Sequence, residues 1–129
     1  QLADYTKEGL ENLHSNGVKL AIASNRFGDP SRFLQEEGII HYFSAVEYTA
    51  VPGYRKPSPY MLLRAAADLK MNPIKCAYVG NMVHCDVAAA MRAQMQPILL
   101  TWCNPEEEAK APRETTIIED IRSVMDVLE

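Results

Sequence analysis

Cys76-Ala77-Tyr78-Val79-Gly80-Asn81-Met82-Val83-His84-Cys85-Asp86-Val87-Ala88-Ala89-Ala90 is the stretch that decides the fold. Cys76 to Val79 is a short, mostly apolar run that stops at Gly80. It is too short for a helix and matches a strand buried on both faces. From Asp86 to about Gln94 the chain is Ala-rich and reads as a helix. A further apolar run follows at Pro97 to Thr101. Two such runs with one helix between them make a βαβ unit, which implies a parallel sheet.

The same alternation extends in both directions. Upstream, Ala3 to Ser15 carries Leu10 and Leu13 among charges, an amphipathic helix that Asn16-Gly17 stops. Val18 to Ser24 reads as a buried strand, and Asn25 to Asp29 as a loop. Pro30 or Ser31 opens a helix to Glu37, which Gly38 closes, and Ser44 to Thr49 reads as the next strand. The Pro/Gly-rich loop Val51 to Pro57 leads to Ser58-Pro59, a helix start, and a helix to about Lys70. Met61, Leu62, Ala65, Ala66 and Leu69 form its apolar side. Downstream, Asn104 to Pro112 reads as a polar, acidic surface loop or helical turn. Thr115 to Ile118 is a last strand, and Glu119 to Leu128 a closing amphipathic helix.

The 129 residues are 47% hydrophobic and 23% charged, which fits one globular domain over 1–129 and excludes wholesale disorder. Thirteen Lys and Arg against 17 Asp and Glu give a net charge of -4, with no basic excess to bind nucleic acid or a membrane surface. No apolar run approaches the ~20 residues of a bilayer span. The start lacks the charged and apolar regions of a signal peptide. Cys76, Cys85 and Cys103 are odd in number and lack metal-ligand spacing, so buried free thiols in a reducing, cytoplasmic setting are expected rather than disulfides or zinc.

In open parallel sheets, ligands gather at the carboxyl ends of the strands. Three such places carry polar chemistry: Ser24-Asn25, Lys56 in its loop, and Gly80-Asn81 followed by His84, Cys85 and Asp86. A hydroxyl, an ammonium and a carboxylate on one rim suit a phosphoryl group: Ser bonds its oxygens, Lys offsets its charge, and Asp can hold Mg²⁺. Each also has an ordinary reading. Ser24-Asn25 can be a strand exit, Lys56 a solvated loop charge, and Asp86 an acid in the first turn of a helix. His14 reads as helix surface, His41 as part of a packing segment, and His84 as near the rim. No nucleophile and base are placed together as in a hydrolytic triad.

Taken in order, these stretches resemble the haloacid dehalogenase-like (HAD-like) hydrolase superfamily. Leu20-Ala21-Ile22-Ala23-Ser24-Asn25 resembles its second motif, and Tyr54-Arg55-Lys56-Pro57-Ser58-Pro59 its third, "K-P-x-P". Ala77 to Ala90 resembles its fourth, "V-G-D-x-x-x-x-D", and Gly38-Ile39-Ile40-His41-Tyr42-Phe43 its "G-(L/I)-x-x-x-F" stretch. The resemblance implies a three-layer Rossmann-like parallel sheet flanked by helices. It implies a Mg²⁺-dependent phosphatase of a small phosphorylated metabolite, working through an aspartyl-phosphate. By carry-over, Ser24 and Lys56 are catalytic, Ser24, Asn25 and Lys56 touch the phosphorylated substrate, and Asp86 with Asn81 faces the metal.

Two departures qualify that expectation. The family's opening strand, ending "D-x-D-x-(T/V)" and supplying the nucleophile, has no counterpart here; Asp4, at a helix start with no strand before it, is rejected for the role. That strand belongs in the sheet centre, between those ending at Ser24 and Gly80. The chain, which opens on Gln1, is therefore expected to be an incomplete core lacking the central first strand and the cap. Its open edges pair with each other, borrow a strand in a homodimer, or await an N-terminal segment. The second departure is Asn81, where the fourth motif has Asp, which leaves Mg²⁺ weak or absent in this form. The leading expectation is an inactive fragment or truncated phosphatase. The alternative is a non-catalytic phosphate-binding or regulatory domain with a degenerate site. A receiver-like signalling domain is set aside because no strand ends in Asp.

Overall fold

The structure, a computed structural model, describes residues 5–129. Five short strands and five helices alternate: α1 (Thr6–Ser15), β1 (Ala21–Ser24), α2 (Ser31–Glu36), β2 (Ala45–Tyr48), α3 (Tyr60–Asp68), β3 (Ala77–Gly80), α4 (Ala88–Arg92), β4 (Gln96–Leu100), β5 (Thr116–Ile118) and α5 (Val124–Val127). Every strand pairing is parallel. The strands fall into two hydrogen-bonded groups, β1-β2 and β3-β4-β5, with no ladder between β1 and β3. The edges that would close the sheet therefore do not pair with each other among the described residues.

Packing holds the two groups in one layer. On one face, Leu62 and Ala66 of α3 and Ala89, Ala90 and Ala93 around α4 form a core that takes in Ala23 and Tyr78. On the other, Leu13 of α1 packs with Ile98, Ile118 and Val124, and reaches Leu20, Ala77 and Val79. This cluster thus takes in residues from both sides of the β1/β3 gap. Leu10 and Leu34 join Ile22 and Val46 beside β1 and β2. The α/β expectation holds: parallel strands lie between helical layers.

Helix ends explain where the elements stop. After α1, Gly17 takes φ 79°, and the amides of Gly17 and Val18 turn back to the carbonyls of His14 and Leu13. Glycine tolerates this left-handed turn without a Cβ penalty. After α4 the same turn falls on Gln94, at φ 61°. Against the sequence expectation β1, β2 and β5 are trimmed by one to three residues, as ladder pairing is narrower than an apolar run, while β3 and β4 keep their length and shift by one residue. The closing helix is shorter than expected: Ile121–Ser123 is a 3₁₀ turn whose Arg122 amide Asp120 caps, and only Val124–Val127 is α-helical. Asp86 does not start an α-helix either, because Val83–Val87 winds as a wider π turn into α4. All three thiols are free, but none is fully buried as expected: Cys76 and Cys85 are half-buried and Cys103 is exposed. Asp4 lies outside the described residues.

Candidate anion site at the strand ends

Asn25, one residue past β1, fastens the loop that carries Lys56. Its Oδ1 accepts from the Lys56 amide at 2.8 Å, and its Nδ2 donates to the Lys56 carbonyl at 3.0 Å. Both ends of the amide side chain are engaged, so Asn25 places the lysine, with one Nδ2 hydrogen left over for a further acceptor.

The lysine side chain, 10% exposed, reaches the gap between β1 and β3. Nζ donates to the Ala23 carbonyl at 3.1 Å, to the Tyr78 hydroxyl at 2.6 Å and to Asp86 Oδ1 at 2.8 Å. An ammonium has three N–H donors, and all three are in use. The Tyr78 hydroxyl donates in turn to the Ala23 carbonyl at 2.8 Å. That carbonyl lies on a strand with no ladder partner on the β3 side, and a buried carbonyl needs a partner. Here two side chains supply it.

Asp86, 6% exposed, sits in the π turn. Its second oxygen accepts from the amides of Asn81 at 3.0 Å and Met82 at 3.1 Å. Gly80 makes room for it, since a Cβ there would collide with Asp86 Cβ and Cγ. The carboxylate therefore has an ion pair on one oxygen and two amides on the other, which offsets the cost of burying it. Burial pushes the Tyr78 phenol up to about 12, so at neutral pH it is an uncharged hydroxyl that accepts from lysine and donates to the strand. Burial also works against the Lys56 ammonium, but the Tyr78 and Asp86 contacts outweigh it and hold the lysine above its ordinary range.

Ser24 ends β1 between Ala23 and Asn25, the two residues that hold Lys56. Its backbone carbonyl takes the amides of Arg26 and Thr49. The hydroxyl has no hydrogen-bond partner among the described residues. Asn81 gives its amide hydrogen to Asp86, and its side-chain nitrogen approaches Cys103 Sγ at 3.8 Å. His84 is exposed beside this turn. Lys56 and Asp86, expected together, are in direct contact, Asn25 supports the lysine, and Ser24 lies in the chain between Ala23 and Asn25, which both bond that lysine.

A magnesium ion takes about six oxygen ligands. The side-chain oxygens at this turn are the Asp86 carboxylate, already engaged by Lys56 and two amides, the Asn81 amide oxygen, and the Glu107 carboxylate, taken by the Val83 amide and Lys110. No group of three or more His, Cys, Asp or Glu converges among the described residues. These residues do not make a magnesium site by themselves.

Sequence reasoning missed two members. Tyr78 passed as an apolar strand residue, although one hydroxyl in a run of Ala, Val and Gly was a visible signal. Glu107 passed as surface acid, yet it is 4% exposed, and its neighbours Glu106 and Glu108 are exposed. Nothing in three successive glutamates marks the middle one.

The model of the haloacid dehalogenase-like hydrolases matches residues 1–94. The chain belongs to that family. A HAD-like relative, the phosphoglycolate phosphatase of Nitrosococcus oceani, is 35% identical over 98 residues, covering 74% of this chain and 42% of that protein. That of Aquifex aeolicus is 33% identical over 94 residues, covering 72% and 44%. The crystal structure of a predicted phosphoglycolate phosphatase from Haemophilus somnus superposes with a TM-score of 0.84 at 25% identity, covering 100% of this chain and 58% of that one. This HAD-like chain thus spans about half the length of the curated phosphatases it matches.

Proposed function

We propose that this chain is the phosphoryl-recognising part of a HAD-like phosphatase acting on a small phosphorylated metabolite. The observation that carries the reading is the Lys56–Asp86 pair, buried at the carboxyl ends of β1 and β3 beside Ser24. Ser24 would donate its hydroxyl to a phosphoryl oxygen. Lys56 would exchange one of its three acceptors for the anion, stabilising charge as a point cation in a site of low effective dielectric. Asp86 holds the ammonium aligned. The names of the relatives support phosphate chemistry and leave the substrate of this chain open.

Turnover is a separate matter. HAD-like phosphatases form an aspartyl-phosphate, and the described strands end in Ser24, Tyr48, Gly80, Leu100 and Ile118, none of them Asp. The proposal is therefore that these 129 residues, taken alone, are an inactive phosphoryl-recognising core. Mg²⁺ binding is weak or absent in it. The β1/β3 gap is closed by a strand from elsewhere, either an N-terminal segment or a second copy in a homodimer. Incubation with p-nitrophenyl phosphate and Mg²⁺ tests the catalytic half. No turnover is expected, and Mg²⁺-dependent turnover that survives Lys56→Ala overturns the assigned roles.

The second reading is a non-catalytic phosphate-binding or regulatory domain of the cytoplasm. Asn81 favours it, because an amide stands where the fourth motif carries a carboxylate. The coding sequence ahead of Gln1 separates the two. An apolar strand ending in Asp-x-Asp supports the phosphatase, and its absence supports the binder.

A further inference from the structure

Three consecutive backbone amides leave Gly80, and each ends on a carboxylate. Those of Asn81 and Met82 go to Asp86. The third, Val83 N, donates to Glu107 Oε1 at 2.7 Å. Glu107 comes from a different part of the chain, the 3₁₀ segment Pro105–Lys110 after β4. Its other oxygen takes Lys110 Nζ at 2.6 Å. The two residues ahead of that segment also touch the turn, through Asn81 Nδ2 with Cys103 Sγ and Asn104 Nδ2 with Met82 Sδ, both at 3.8 Å. Sulfur contacts of that length are weak, so the carboxylate is the strong tie.

We propose that Glu107 is a positioning residue: it fixes the Asn81–Val83 turn and thereby the two amides that orient the Asp86 carboxylate toward Lys56. Helix-initiating amides lack intrahelical partners, and without one this turn is free to swing. Asp86 cannot hold it alone, because it sits inside the winding it would have to anchor. Glu107 is an outside anchor, rigid because it is buried and charge-paired. Its value for phosphate binding rests on the phosphoryl-site reading; its effect on the turn does not.

Amide hydrogen exchange on the full chain, with Glu107→Ala and Glu107→Gln, tests this. In wild type the Val83 amide is protected at least as well as those of Asn81 and Met82. In Glu107→Ala, Val83 exchange rises about tenfold or more, Asn81 and Met82 follow by about threefold or more, and β4 is unchanged. Glutamine keeps the acceptor and returns all three to within about threefold of wild type. An unprotected Val83 amide in wild type, or an unchanged turn in Glu107→Ala, overturns the proposal, and the first needs no variant to fold. The affinity for inorganic phosphate, measured in parallel, falls in Glu107→Ala and recovers in Glu107→Gln. If wild type binds no phosphate while the amides behave as stated, the phosphoryl-site reading fails and the positioning role stands. If phosphate binds and the turn ignores Glu107, the reverse holds.

Discussion

Gly80 and Asp86 are sterically interlocked: the carboxylate that pairs with Lys56 occupies the space a side chain on Gly80 would need. The last residue of β3 is therefore fixed by an acid six positions later. The two together define where the lysine ends.

Gly80→Ala should expel Asp86 from its place. The added methyl meets Cβ and Cγ of Asp86, atoms close to the backbone that cannot step aside. Overpacking of this kind costs about 1–3 kcal/mol. Urea unfolding should show that loss, and the Asn81 and Met82 amides should lose protection first. Wild-type stability in Gly80→Ala would mean the contact is soft.

Lys56→Met leaves the Asp86 carboxylate buried without its cation. Removing one partner of a buried pair costs about 3–5 kcal/mol, whereas replacing both partners is far milder. Lys56→Met should therefore be less stable than Lys56→Met with Asp86→Asn. Equal stability of the single and double variants would show that the pair does not interact.

The network also sets a pH limit. The Tyr78 phenol is raised by burial to about 12, and Lys56 is raised despite burial by its Tyr78 and Asp86 contacts. A group raised on folding adds stability below its unfolded pKa and loses it as pH climbs toward the folded value. Unfolded Tyr and Lys titrate near ~10 and ~10.4, so the loss falls between about pH 10 and 12. Urea midpoints should be flat from neutral pH to about 9 as far as these groups are concerned and fall beyond. Tyr78→Phe should flatten that fall, and an identical alkaline profile in this variant would remove Tyr78 from the account.

Gln94→Gly should stabilise the chain. Gln94 holds φ 61°, and left-handed backbone costs a non-glycine residue roughly 1 kcal/mol. Part of that returns through the greater freedom of glycine when unfolded, leaving about 0.5 kcal/mol. A higher thermal midpoint is expected, and a lower one would show that the Gln94 side chain contributes more than its backbone costs.

The order of elements was legible because buried strands and amphipathic helices leave different periodicities, as at Val18 to Ser24 and around Leu62 and Ala66. Lys56 and Asp86 were legible through their motifs. Their contact, and the Tyr78 hydroxyl that completes it, depend on side chains meeting across a gap of 22 and 30 residues in sequence, which no local pattern encodes. The bond of Asn25 to the Lys56 backbone was hidden for the same reason, 31 residues lying between them. The helix ends after Gly80 and Ile118 were overestimated because Ala and Val content says nothing of how the first turn winds.

The most direct measurement follows backbone amides and the Lys56 ammonium by NMR while inorganic phosphate is added to the wild-type chain. Saturable shifts confined to Ser24, Lys56 and the Asn81–Asp86 turn are predicted. No saturable shift at these groups, or saturation elsewhere on the surface, would contradict an anion site built from Ser24 and Lys56.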